Sequence, residues 1–214
     1  MRKSTILVFK FDGILVNTVE VFSRRVWQII SNLNLTDQAT DDQKIDRLVV
    51  MNWEKGPKIL ARIICEKLDA KEIMPKFERE LTNIEYRMAA EFRLNQERFM
   101  VIQKLANADF TIALYSNRSA ENLQDLARIV ELDLRRFDYI LTKDLVPSLS
   151  GWLKDKKISS DLIYFGNTMS DTLLAPEDSV VILPEFNQDG LIEEDFLVNY
   201  LENNFLKTVA FNHA

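Results

Sequence analysis

Four side chains stand where they could do chemistry: Lys10, Asp12, Ser116 and Asp171. Asp12 follows an apolar run and precedes Gly13, so it sits at a strand end, where a carboxyl group can give or take a proton. Lys10 lies inside the same run. As an ammonium it has no lone pair for attack; as a desolvated free amine it could form a Schiff base with a carbonyl substrate. Ser116 and Asn117 close a second apolar run and are common turn formers there. Asp171 follows Gly166-Asn167 after a further run, a position where an acid can cap a helix. His213 is the only histidine and is next to the last residue, which excludes His-based triads and most zinc sites.

The elements that must position these residues alternate between strands and helices. Thr5 to Phe11 is short, apolar and stopped by Asp12-Gly13, the pattern of a strand buried on both faces and ended by a tight turn. Gly13 supplies the backbone freedom such a turn needs. Phe110–Tyr115, Phe137–Leu141, Leu162–Phe165 and Val180–Leu183 read as four more strands. Between the first two, no strand pattern interrupts residues 18–107. Val19, Phe22, Val26, Ile29, Ile30 and Leu33 form a helical stripe, and further helices are predicted over 41–51 and 58–68, the latter opened by Pro57. A long helix from Pro75 carries Phe77, Leu81, Ile84, Met88 and Phe92, and residues 99–107 lead back to the second strand. Ser119 caps a helix running to Val130. Asn187 to Gly190 reads as a turn before a C-terminal helix.

This order predicts an α/β fold: a Rossmann-like, mainly parallel sheet with crossover helices, whose ligand site lies at the carboxyl ends of the strands. The expected division is an α/β core of residues 1–17 and 96–214 and an inserted helical block of 18–95. At 214 residues, 47% hydrophobic and 28% charged, the composition is that of a soluble globular protein. A net charge of −6 without a Lys/Arg cluster argues against nucleic-acid binding. No membrane segment is expected either. Cys65 is the only cysteine, read as a buried inert thiol, so no internal disulfide forms and a cytoplasmic location is expected.

Lys10-Phe11-Asp12-Gly13-Ile14-Leu15-Val16-Asn17-Thr18 resembles the first motif of the haloacid dehalogenase-like (HAD) superfamily, Asp-x-Asp-Gly-Thr-Leu-x-Asp-Thr. Ser116-Asn117 is similar to its second motif, and Gly166-Asn167-Thr168-Met169-Ser170-Asp171 to its fourth, Gly-Asp-x-x-x-Asp. The helical block resembles the C1 cap of phosphoglycolate-phosphatase-like members. The resemblance implies a phosphatase-type pocket in which position 10 holds the nucleophile, Asp12 is the acid and base, and Ser116 and Asn117 face the phosphoryl group. A third-motif Lys neutralises phosphate; the Lys-Pro segment is absent, and Lys143 is the nearest candidate. Asp12, Asn167 and Asp171 stand at the Mg²⁺ positions. A cap loop at Asn52 to Gly56, with Trp53 and Lys55, is implied to contact the ligand.

Three of the departures from that pattern reduce negative charge, and the fourth removes a hydroxyl. Lys10 replaces the nucleophilic Asp, Asn17 and Asn167 replace acids, and Ile14 replaces a Thr. Mg²⁺ would sit beside an ammonium, so the site is expected to bind it poorly or not at all, and Lys10 is expected to pair with Asp171 and with Asp12. The leading expectation is therefore a non-catalytic pseudo-phosphatase that binds a small phosphorylated ligand or a protein partner and needs no cofactor. The alternative is a Mg²⁺-using HAD-type hydrolase that acts on a small phosphorylated metabolite by an altered mechanism.

Overall fold

The computed structural model describes residues 5–39, 42–85, 88–108, 110–146, 148–156, 161–167, 171, 175–176, 179–183 and 196–206. The predicted residues 187–190 and His213 lie outside them. Strand β1 (Ile6–Lys10) is buried along its whole length. Burying an aliphatic or aromatic side chain is worth about 1.5–3 kcal/mol, so a strand apolar on both faces belongs in the middle of a sheet. β2 (Thr111–Ser116) flanks it on one side and β4 (Leu162–Phe165) on the other, both parallel to it. β3 (Tyr139–Thr142) and β5 (Val180–Ile182) extend the sheet outward, giving the order β3-β2-β1-β4-β5.

Parallel neighbours require crossover connections. Helix α6 (Ala120–Ile129), capped by the Ser119 side chain, joins β2 to β3. Helix α7 (Leu149–Asp155), capped by Ser148 and not predicted from the sequence, joins β3 to β4. From β1 the chain proceeds outward to β2 and β3, then returns to β4 and β5 on the other side. That reversal beside β1 is where an α/β sheet opens a ligand crevice. One face of the sheet packs Ile6, Val8, Ala113, Tyr115 and Tyr164 against Leu149 and Trp152. On β1 and β4, Phe9 and Phe165 stack at 4.6 Å.

The chain forms two compact units. Among the described residues, one holds 5–17 and those from 93 onward, and the other holds 18–92. The second unit is the helical insertion between β1 and β2: α1 (Thr18–Asn32), α2 (Asp42–Asn52), α3 (Pro57–Lys67) and α4 (Met74–Glu85). Its interior is built by Phe22, Val26, Ile30, Val49, Leu60, Ile64, Phe77 and Leu81. Trp27 Nε1 donates to Asp46 Oδ1 at 2.8 Å, and the Ser23 hydroxyl donates to the same oxygen.

α4 is shorter than predicted. Met88 and Phe92 continue its apolar stripe and are buried, but they flank a 3₁₀ turn at Ala89–Glu91. A tighter turn keeps residues about three apart on one side, so the spacing outlasts the α-helix. The helix predicted at 99–107 instead begins three residues earlier, as α5 (Gln96–Ala106), because the Asn95 side chain accepts the Arg98 N–H at 3.0 Å and caps it. Helix α8 (Phe196–Leu201) runs on into a π-helical turn at Glu202–Leu206. Among the described residues no helix is long and apolar enough to cross a membrane.

Candidate functional site

Alternation along β1 puts Lys10 on the sheet face of Val8 and Tyr115, where its side chain has no exposed surface. Its Nζ donates to Asp171 Oδ1 at 2.8 Å and to Oδ2 at 3.0 Å, and Asp171 is equally buried. Asp171 also accepts the Asn167 peptide N–H at 2.8 Å and the Tyr164 hydroxyl at 3.4 Å. Gly166 makes this approach possible: a Cβ there would lie 2.6 Å from Asp171 Oδ2. An ammonium and a carboxylate removed from water are tolerable only when paired and hydrogen-bonded in this way.

After β1 the chain turns sharply. Gly13 adopts φ 79°, its N–H donates to Val16 O at 2.8 Å, and the Val16 N–H returns to Phe11 O at 3.0 Å. Arg98 of α5, 6% exposed, holds the turn by donating from Nη1 to Ile14 O at 3.0 Å. This fixes Asp12, which is buried with 2% exposure. Asp12 is gripped in a two-pronged ion pair by Arg118, whose Nη2 lies 2.8 Å from Oδ1 and whose Nε lies 3.1 Å from Oδ2. The Arg118 peptide N–H in turn donates to Ser116 Oγ at 3.2 Å. Fork geometry of this kind is the strongest form of charge-assisted hydrogen bond.

In the sequence, Arg118 carries no signal beyond its place directly after Ser116-Asn117. Ser116 is buried, and Asn117 Oδ1 accepts from the Tyr115 hydroxyl at 2.9 Å. Lys143 is joined to Ser116 through the backbone, its N–H donating to Ser116 O at 3.1 Å, but its side chain is exposed. Asn167 is 1% exposed, and neither atom of its side-chain amide has a hydrogen-bond partner among the described residues. Trp53 and Lys55 belong to the helical unit: the Trp53 ring packs against Phe22, and Lys55 Nζ donates to Asn52 Oδ1 at 2.8 Å. Asn17 Oδ1 accepts the Arg93 N–H at 2.6 Å.

Sequence reasoning gave Lys10 two acids, Asp171 and Asp12; the structure gives Asp12 to Arg118. Mg²⁺ takes oxygen ligands and is favoured by net negative charge. Here position 10 carries an ammonium bonded to Asp171, Asp12 is held by a guanidinium, and Asn167 is neutral. Among the described residues no cluster of His, Cys, Asp and Glu is arranged to hold a metal ion. The donor set does not fit Mg²⁺.

No protein-family model matches the chain, and no curated protein matches it in sequence. Solved structures do match. A haloacid dehalogenase-like hydrolase from Streptococcus pneumoniae aligns with TM-score 0.58 at 18% identity, over 99% of this chain and 100% of that one. A predicted phosphoglycolate phosphatase from Haemophilus somnus aligns with TM-score 0.56 at 14% identity, over 86% of each chain. A subfamily IA HAD-superfamily hydrolase from Geobacter sulfurreducens aligns with TM-score 0.57 at 14% identity, over 85% of this chain and 87% of that one. With its five-stranded parallel sheet and the helical insertion between β1 and β2, the chain has the HAD-like hydrolase fold.

Proposed function

We propose that this protein is a pseudo-phosphatase: a HAD-like fold kept for binding or regulation rather than for turnover. One observation carries the reading. Where the resemblance places a nucleophilic carboxylate there is the Lys10 ammonium, buried and bonded to Asp171 at 2.8 Å. A protonated amine cannot attack phosphorus. Asp12 is the one acid left in the first motif, and it is engaged by Arg118. A small phosphorylated ligand suits the Ser116 hydroxyl and the Asn117 amide at the end of β2, with Lys143 directly after β3 as the candidate cation. The acidic net charge of −6 speaks against nucleic acid as a partner, and a single buried cysteine suits the reducing cytoplasm.

The test is phosphomonoester hydrolysis across a substrate panel, with and without Mg²⁺, comparing the native chain with Lys10→Asp. The native chain is expected to be silent under both conditions. Mg²⁺-dependent turnover by the native chain that Asp12→Ala abolishes would favour the other reading, a hydrolase working by an altered mechanism.

A further inference from the structure

The misfit between this site and a divalent cation does not stop at position 10. Two acids lie buried at the carboxyl ends of the central strands, and each has its own cation. Asp171 has Lys10, from β1 itself, and Asp12 has Arg118, from the segment that follows β2. The formal charges of the four groups cancel. We infer that Lys10 and Arg118 are two separate internal replacements for a divalent cation, and that the site accepts Mg²⁺ at useful strength only when both are removed.

The two act separately because they hold different acids from different elements. Taking away Lys10 alone frees Asp171 but leaves Asp12 forked, at 2.8 Å, to the Arg118 guanidinium. Taking away Arg118 alone leaves the ammonium bonded to Asp171. In either case one of the two cations stays at the carboxyl ends of the central strands and repels a divalent ion. Once both cations are gone, the Asp12 and Asp171 carboxylates and a neutral oxygen are left, joined in Lys10→Asp by a third carboxylate. The neutral oxygen is Asn167 Oδ1, a buried acceptor with no hydrogen-bond partner among the described residues. Oxygen donors of these two kinds are what Mg²⁺ accepts.

Ion binding is measurable whether or not the native chain turns anything over. Mg²⁺ titration calorimetry and thermal melts in MgCl₂ against NaCl of equal ionic strength are run on the native chain, Arg118→Gln, Lys10→Asp and the double variant Lys10→Asp/Arg118→Gln. The native chain and Arg118→Gln are expected to give no saturable binding at millimolar Mg²⁺. Lys10→Asp should bind weakly, and the double variant at least about tenfold more tightly than Lys10→Asp.

Saturable Mg²⁺ binding by the native chain that Asp171→Asn removes would overturn the inference, as would binding by Arg118→Gln. So would a Lys10→Asp chain that binds as tightly as the double variant, since Arg118 would then block nothing. If a Lys10→Asp chain folds only when Mg²⁺ is present, the concentration that folds it gives the same comparison. The native and Arg118→Gln measurements need no change in the buried Lys10.

Discussion

Lys10 is among the largest side chains in this protein with no exposed surface, and an ammonium in that position is stable only while a carboxylate faces it. Asp171 supplies both oxygens, at 2.8 and 3.0 Å. Removing one partner strands the other's charge, so Lys10→Met and Asp171→Asn are each expected to lower stability by about 3–5 kcal/mol. Replacing both by apolar residues strands nothing, and Lys10→Met/Asp171→Leu is expected to recover at least half of the single-variant loss. Urea denaturation of the three variants measures this; a double variant no more stable than either single one would mean the pair is not the energetic unit. The charged positions on β1 and after β4 were legible in the sequence, because each breaks or follows an apolar run. Arg118 was not legible as Asp12's partner. It lies 106 positions away in sequence, and an arginine in a turn reads as surface until the register of β1 with β2, Lys10 opposite Tyr115, brings the two strand ends together. Asn17, neutral where the resemblance implies an acid, accepts the Arg93 backbone N–H through its side chain.

The strands were easier to place than the helices. A buried strand announces itself by a short apolar run with a hard stop, and β4 spans the same residues that its run predicts. Helix ends depend on caps and on the tightness of the last turn, which is why α5 begins early at the Asn95 cap and α4 gives way to a 3₁₀ turn before its stripe ends. α3 shows what its stripe does to chemistry: Leu60, Ala61, Ile64 and Cys65 share the buried face. Burial, with the nearby Glu72 charge adding to it, pushes the Cys65 thiol up from 9.0 to about 11. Between those values the folded chain keeps the thiol proton and the unfolded chain releases it. Stability therefore falls as pH rises through that window, by up to about 1.4 kcal/mol per pH unit. Denaturation at several alkaline pH values should give the native chain a steeper decline than Cys65→Ala, and parallel declines would mean the thiol ionises equally in both states.

At the scale of the whole chain, short buried apolar runs build the sheet. The fold consequently aligns with a haloacid dehalogenase-like hydrolase at 18% identity and with a subfamily IA HAD-superfamily hydrolase at 14%. The fold rests on burial, which many different sequences can supply. The insertion between β1 and β2 obeys the same logic. The chain leaves the sheet-bearing unit at Asn17 and re-enters it at Arg93, and these two residues are bonded to each other: the Asn17 N–H donates to Arg93 O at 3.1 Å and the Arg93 N–H to Asn17 Oδ1 at 2.6 Å. The exit and the re-entry are adjacent, so closing the gap costs little loop entropy. A chain in which residues 18–92 are replaced by a short Gly/Asn linker is expected to fold cooperatively, since the sheet, its buried cluster and both ion pairs lie within the remaining unit. Circular dichroism and urea denaturation test this, and Asp171→Asn should destabilise the shortened chain by as much as it does the full one. A shortened chain that melts without a cooperative transition would mean that the sheet needs the helical unit in order to fold.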